Sequence, residues 1–506
     1  MKPFTGRAVT VLFLLAALIG VSARVWFSGT TRLTLEDAFI TFRYAENISA
    51  GKGFVYNEGE RVLGTTTPLW TLILAAARSA GATDPVATSR AAGIIFDLAA
   101  LALLYLLFKG RRDFLMLCAA AMLALSPGIV AVSGSGMETP LLLLLMTGAL
   151  WAYDRKSDVS GILLGLIILT RVDGALFSSV LVAVAFRRER RWAMRQVALA
   201  ALVLLPWIVF SLSYFHGILP QSLTAKAAQY HMGFRASADP FLGTFTPLGE
   251  ANPFKWALKL LLFPLLAWGW WVSVRRGGVS LVLAVFFCCY SVLFMCSGVL
   301  IFYWYMVPAI YASVFLEAAG LEWLLEKFAP EGRPALAAWA AVIVLLALTL
   351  GNAAVLTGRA EKFRQVQSFE EDLRKRIGLW LRDNVEPGSS VLLEPIGYIG
   401  YYAGPGVRIL DEVGLVTPGA EVTGRDAAGW YIGLIRSLNP DYIVEYSSAI
   451  RENRAMVVGR PLFRDDGERR WFAVSYEMIA SFEARGRYPL VEDAEKSFMV
   501  FRRSKR

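Results

Sequence analysis

Cysteine and histidine are nearly absent from this chain, with four and two in 506 residues. The cysteines, Cys118, Cys288, Cys289 and Cys296, all fall in apolar runs. None lies in the C-terminal third, which excludes a disulfide framework there. No Cys/His spacing of the zinc-binding kind occurs. No internal repeat of the kind common in secondary transporters is visible either. Apolar residues are what the chain has in abundance: 56% of it is hydrophobic. That composition, in uncharged runs of near-spanning length, specifies a polytopic helical membrane protein.

The runs 9–27, 85–108, 113–132, 138–153, 157–170, 174–186, 196–215, 254–274, 279–300, 304–325 and 335–357 predict about eleven transmembrane helices. No convincing small-residue cleavage site follows Val9–Phe27, so it reads as a retained first helix. The stretch 157–186 reads as two short helices or one re-entrant unit. Pro68–Ala80 is apolar but short, and reads as a membrane-embedded helix of the first loop.

Arginine and lysine set the orientation. Lys2, Arg7, Lys109, Arg111, Arg112, Arg155, Lys156, Arg187, Arg188, Arg190, Arg191, Arg195, Arg275 and Arg276 all fall on one side of an eleven-span chain. The positive-inside rule makes that side cytoplasmic. The N-terminus is then inside. The loops 28–84, 133–137, 171–173, 216–253 and 301–304, and everything after 357, are outside.

Two domains are expected: a transmembrane domain over 1–357 and an extracytoplasmic α/β domain over 358–506. Residues 361–506 carry 22 Lys+Arg against 22 Asp+Glu. The net charge of +10 therefore belongs to the membrane part. It reads as a topology signal, and nucleic acid is not an expected partner. In the outer domain, apolar residues from Phe363 to Leu381 recur at helical spacing, and Pro387-Gly388 ends the pattern. Strands are expected at 390–393, 407–410, 442–445, 471–474 and 498–502, interleaved with helical stretches. The glycines of 397–404 fit no phosphate-loop fingerprint and read as a tight packing turn, or as a loop touching glycan or membrane.

The most informative polar residues are Glu36 and Asp37, adjacent acids just after the first span. Side by side near a bilayer they repel each other and are costly to desolvate. A helix over 36–50 puts Asp37, Thr41 and Tyr44 on one face and stacks Glu36 with Arg43. One acid is then neutralised, and the other is free to act as a general base. The alternative is a pair of acids suited to a helix N-terminus. Glu138 admits the same alternative. Arg171 has Asp173 as its nearest candidate partner, the arrangement expected of a costly buried charge. Lys226 either snorkels to headgroups or holds a phosphate as a point charge. Tyr303 and Tyr305, in Phe302–Pro308, fit an interfacial aromatic belt.

The stretch 35–72 resembles the first extracytoplasmic loop of the GT-C glycosyltransferases. The closest resemblance is to the family that includes the mycobacterial terminal arabinofuranosyltransferases. The matching residues are Glu36-Asp37-Ala38-Phe39-Ile40, Arg43-Tyr44-Ala45, Gly51, Gly53, Val55, Asn57, Glu60-Arg61-Val62, Gly64, Thr66, Pro68, Leu69 and Trp70. Glu36 and Thr65 depart from that pattern. Gly136-Met137-Glu138-Thr139, Arg171-Val172-Asp173-Gly174, Pro220-Gln221-Ser222 with Ala225-Lys226, and Gly397–Gly404 with Asp411-Glu412 resemble further motifs of the same proteins. All of them fall on the outer face in a topology read from arginines alone.

The resemblance implies a membrane glycosyltransferase in a bacterial cytoplasmic membrane, with a polyprenyl-phosphate sugar as donor. The implied acceptor is a cell-envelope glycan, lipid or protein. It implies Asp37 and Glu36 as catalytic acids, and Lys226, Arg171 and Arg43 as holders of the donor phosphate. The implied substrate contacts are Tyr44, Thr66, Thr67, Trp70, Glu138, Asp173, Gln221, Tyr303 and Tyr305. Glu36 and Asp37 also leave room for a divalent cation (Mg, Mn or Ca) without requiring one. Two other classes stay open: a polysaccharide polymerase or ligase using a lipid-diphosphate donor, and a polytopic transporter.

Overall fold

A computed structural model of the chain describes residues 6–229, 233–248, 250, 252–328, 334–420, 429–456 and 459–504. Lys2, part of the charge argument above, lies outside them. The chain divides into two compact units.

The first unit comprises Met1–Arg32, Ser89–Ile208 and Met232–Glu361 and carries most of the apolar helices. Among the described residues seven helices are long and apolar enough to cross a membrane: Gly6–Thr31, Pro85–Phe108, Arg190–Phe215, Pro253–Arg276, Gly278–Met295, Tyr303–Lys327 and Val342–Asn384. An eighth is counted if Asp113–Ala124 and Pro127–Ser133, bent by 61°, form one span. Pro127 explains the break, because it sits at the start of the second piece and disfavours helical geometry in the residue before it. The remaining expected spans appear as the helices Thr139–Asp154, Val159–Thr170 and Gly174–Arg188. The middle one has 12 residues. At about 1.5 Å per residue it is shorter than the hydrocarbon core.

Two features knit this unit. Gly269 and Gly320 face each other's helices so closely that a Cβ on either would meet backbone atoms of Leu316 or Leu265. Small residues allow this approach, which lets membrane helices gain packing energy without a hydrophobic drive. Arg24, buried in the first helix, donates Nε to Asp97 Oδ2 at 2.8 Å. It also donates to the carbonyls of Ala124 (3.1 Å) and Leu123 (3.4 Å). Those carbonyls end the helix before the bend and lack intrahelical partners, so the guanidinium satisfies them.

The second unit comprises Leu33–Thr88, Val209–His231 and Lys362–Arg506. Its core is a five-stranded sheet of β1 (Ser390–Leu393), β2 (Arg408–Asp411), β3 (Tyr442–Tyr446), β4 (Tyr476–Glu483) and β5 (Ser497–Arg503), in the order β2-β1-β3-β5-β4. β2, β1 and β3 are parallel, and β5 and β4 are antiparallel. β1 and β3 are buried along their whole length, as parallel strands covered on both faces must be. The expected strand at 471–474 is instead part of the helix Asp466–Ser475. Asp465 caps it, accepting from Glu468 N, and two acids occupy its first turn. The strand begins only at Tyr476.

The helical pattern expected from 361 is the C-terminal end of a 39-residue helix, Pro334–Asp372. The division drawn at 357/358 falls inside that helix, and the boundary between the units falls at Glu361/Lys362.

Candidate active site

The sequence around the acids is helical over Glu36–Ser49. Two acids in the first turn suit the positive end of the helix, and their side chains go different ways. Glu36 turns to the start of the helix Tyr398–Ala403. Its carboxylate accepts the N–H groups of Gly397 and Tyr398, the latter 3.1 Å from each oxygen. A Cβ at position 397 would collide with Glu36, so glycine is required there. Burial raises the Glu36 pKa, with Arg374 and these N–H groups opposing the rise. Glu36 thus clasps the start of that helix within the second unit.

Asp37 points elsewhere. It remains 28% exposed, and its Oδ2 lies 3.2 Å from Lys226 Nζ, itself 18% exposed. Lys226 belongs to the helix Gln221–Gln229, whose first N–H donates to Leu63 O at 2.8 Å. That bond fixes the lysine helix against the loop after the acidic helix. Behind Asp37, Thr41 shares its helix face. A run of hydroxyls joins Thr41, Thr67, Thr65 and Thr71 at 3.1–3.5 Å. Thr66 is half-buried.

Several expected site residues prove structural. Arg43 is 4% exposed. It donates to the carbonyls of Tyr56 (2.9 Å), Gly400 and Val407 (2.8 Å), and reaches Asn57 Oδ1 at 3.4 Å. These bonds make it a joint of the unit. The Tyr44 hydroxyl donates to Val62 O and accepts from Gly64 N. Tyr44, Thr67 and Trp70 are buried and form part of the core. The glycines of 397–404 do pack tightly: Gly400 lies against the Tyr56 hydroxyl. Asp411, part of a resembling motif, is fully buried and closes a turn by accepting from Val413, Leu415 and Val416. Burial raises its pKa to about 6 despite those bonds.

The first unit holds a second polar cluster. Arg171 is bidentate to Asp173, with Nε 2.9 Å from one oxygen and a terminal nitrogen 2.7 Å from the other. Glu138 stands 3.4 Å from the same guanidinium. Its plane lies over Tyr305 at 4.9 Å. Tyr290, absent from the sequence reading, completes the knot: its hydroxyl lies 2.8 Å from Asp173 and 2.9 Å from Tyr305 O. Two carboxylates already neutralise Arg171, so a phosphate would have to displace one. Arg171 is the centre of this ion-pair cluster. Tyr303 is half-buried beside Trp304.

The expected divalent cation fits poorly at Glu36 and Asp37. Glu36 is engaged by backbone N–H groups and Asp37 by an ammonium. Among the described residues no three His, Cys, Asp or Glu side chains form a metal-binding group.

Comparison with known proteins places this geometry on a shared fold. The chain is similar over 97% of its length, and 97% of the other's, to ArnT from Cupriavidus metallidurans bound to undecaprenyl phosphate (TM-score 0.58, 14% identity). It is similar over 95% of its length, and 73% of the other's, to the archaeal oligosaccharyltransferase AglB from Archaeoglobus fulgidus (TM-score 0.62, 14% identity). That AglB structure is in complex with an inhibitory peptide and a dolichol-phosphate. The chain therefore has the fold of the GT-C membrane glycosyltransferases, with a small C-terminal sheet domain. A terminal beta-(1->2)-arabinofuranosyltransferase of Mycobacterium tuberculosis is 26% identical over 228 residues, covering 40% of this chain and 36% of that protein. Residues 362–501 match a family described as a domain of unknown function, DUF8728.

Proposed function

We propose that this chain is a glycosyltransferase that moves a sugar from a polyprenyl-phosphate carrier to a glycan, lipid or protein of the cell envelope. It acts on the outer face of a bacterial cytoplasmic membrane, with Asp37 as general base and Lys226 as the cation at the donor phosphate. The observation that carries the proposal is the half-open Asp37–Lys226 ion pair, 3.2 Å long, on a GT-C fold. The lipid phosphates bound in ArnT and AglB support a lipid-phosphate donor. The similarity to an arabinofuranosyltransferase supports sugar transfer.

The chemistry follows from competition for one ammonium. A partly exposed ion pair is worth little, about 0–1 kcal/mol. A phosphate entering beside Lys226 offers a stronger, charge-assisted contact. Lys226 then turns to the phosphate, and Asp37 is released to take the proton of the acceptor hydroxyl. The carbon–oxygen bond to the phosphate breaks as the acceptor oxygen attacks. The ammonium neutralises the departing phosphate.

The grouping of segments supports a single face. Leu33–Thr88, Val209–His231 and Lys362–Arg506 share one compact unit. The chain must therefore cross the membrane an even number of times between each. Counting the bent pair as one, six apolar helices separate the first two segments and four separate the last two. With that count, the arginine-rich loops support an outer position for this unit.

The test supplies the purified chain, in lipid nanodiscs with an envelope-glycan acceptor, with three labelled donors. A polyprenyl-monophosphate sugar should be consumed, and a nucleotide sugar and a polyprenyl-diphosphate sugar should not. Turnover of the diphosphate alone would replace this reading with a polymerase or ligase.

A further inference from the structure

The helix that carries Lys226 begins with two polar atoms that have no hydrogen-bond partner among the described residues. Ser222 is 4% exposed, yet its Oγ has no hydrogen-bond partner among the described residues. Gln221 Nε2 is buried and equally unpartnered. Buried polar groups are nearly always paired, and each exception calls for an explanation. The helix offers a local solution that Ser222 does not use. Thr224 Oγ1, two residues on, turns back to Gln221 O at 2.7 Å.

The unpaired atoms have a common character. An amide nitrogen is a donor only, and a serine hydroxyl donates readily. Both stand in the first turn of a nine-residue helix, where the helix dipole is positive. Ser222 and Lys226 are four residues apart and share one helix face. Asp37, the acceptor already present, is engaged with Lys226. What the group lacks is an anion with several acceptor oxygens.

We infer that Ser222 and Gln221 are positioning residues that hold the non-bridging oxygens of a phosphate group whose charge is met by Lys226. The inference rests on the reading of the chain as a lipid-phosphate-dependent transferase and adds the residues that orient the phosphate. Its occupant is a phosphate monoester or diester, borne by a lipid or free in solution.

The experiment measures binding to the full chain in nanodiscs of a polyprenyl monophosphate, the matching polyprenol, and inorganic phosphate. Wild type is compared with Ser222→Ala, Gln221→Ala and Gln221→Glu. Ser222→Ala should weaken the polyprenyl monophosphate about tenfold, the loss typical of a hydrogen bond to a charged group. Binding of polyprenol should not change. The melting temperature should hold or rise, because the hydroxyl removed had no partner; a merely structural serine would lower it. Gln221→Glu should weaken the phosphate more than Gln221→Ala, since a carboxylate repels it.

Inorganic phosphate separates the sources. Displacement of the lipid by it means that the cradle takes either form, and no displacement means that the lipid-borne phosphate is required. In both cases the Ser222→Ala loss supports the inference. Undiminished binding by both Ser222→Ala and Gln221→Ala overturns it, while the transferase reading survives. If wild type binds the monophosphate no better than polyprenol, the donor reading fails and takes the cradle with it.

Discussion

Asp37 and Lys226 lie 189 positions apart in the chain and 3.2 Å apart in space. The contact joins the loop after the first span to a short helix that follows the seventh expected one. An acid and a base poised together, each partly open to solvent, have little value as a structural bond. In the mechanism proposed above, a phosphate parts them.

Lys226→Ala should therefore raise the donor KM about 10- to 100-fold, the equivalent of about 1.5–3 kcal/mol for a charge-assisted contact. Lys226→Arg should recover part of the loss by keeping the charge. Steady-state kinetics with a polyprenyl-phosphate sugar measures both. An unchanged donor KM in Lys226→Ala would place the phosphate elsewhere.

Glu36 should behave in the opposite way to its neighbour. Glu36→Gln keeps one acceptor oxygen and loses the charge facing Gly397 and Tyr398. It should cost about 1 kcal/mol of stability and leave turnover of the folded protein within a small factor. A large loss of turnover with unchanged thermal stability would restore Glu36 to the catalytic pair.

The second unit should also be weakened by alkali. Burial raises Glu394 to about 8 and Glu445 to about 7. Glu412 is held well above its ordinary value by burial, and further by Glu445. The folded state keeps protons that the unfolded chain releases above about pH 4.3. Stability therefore falls as pH rises from there through about 8. The melting temperature of the full chain should be higher at about pH 6 than at about pH 8.5, and Glu445→Gln should flatten the slope. Equal melting temperatures across that range would contradict the raised values.

Orientation is open to direct labelling. Glu386 is exposed in the second unit. A cysteine there, with the four native cysteines replaced, should react with a membrane-impermeant maleimide on intact spheroplasts. Labelling only after permeabilisation would put the second unit, Asp37 and Lys226 inside.

Much of this was legible in the sequence because it depends on local pattern. Uncharged runs, arginine-rich loops, helical spacing after Phe363 and four of the five strands are short-range signals. The different partners of Glu36 and Asp37 were not legible, because those of Glu36 are N–H groups about 360 positions away. The partners of Arg43 were hidden for the same reason: they are carbonyls more than 350 positions away. Trp471–Val474 reads as a strand by composition, and the cap at Asp465 decides otherwise. Arg24 and Asp97 carried a signal that went unused, as single charges inside apolar runs whose cost demands a partner.

Transfer by Asp37→Asn tests the central claim most directly. The variant keeps the size and one acceptor oxygen of the side chain and removes its ability to take a proton. Its rate of sugar transfer from a polyprenyl-phosphate donor, in single-turnover conditions with donor saturating, should fall about 10²- to 10⁴-fold. Its melting temperature should stay within a degree or two of wild type, as the loss of a half-exposed ion pair allows. A transfer rate within a few-fold of wild type would contradict the account.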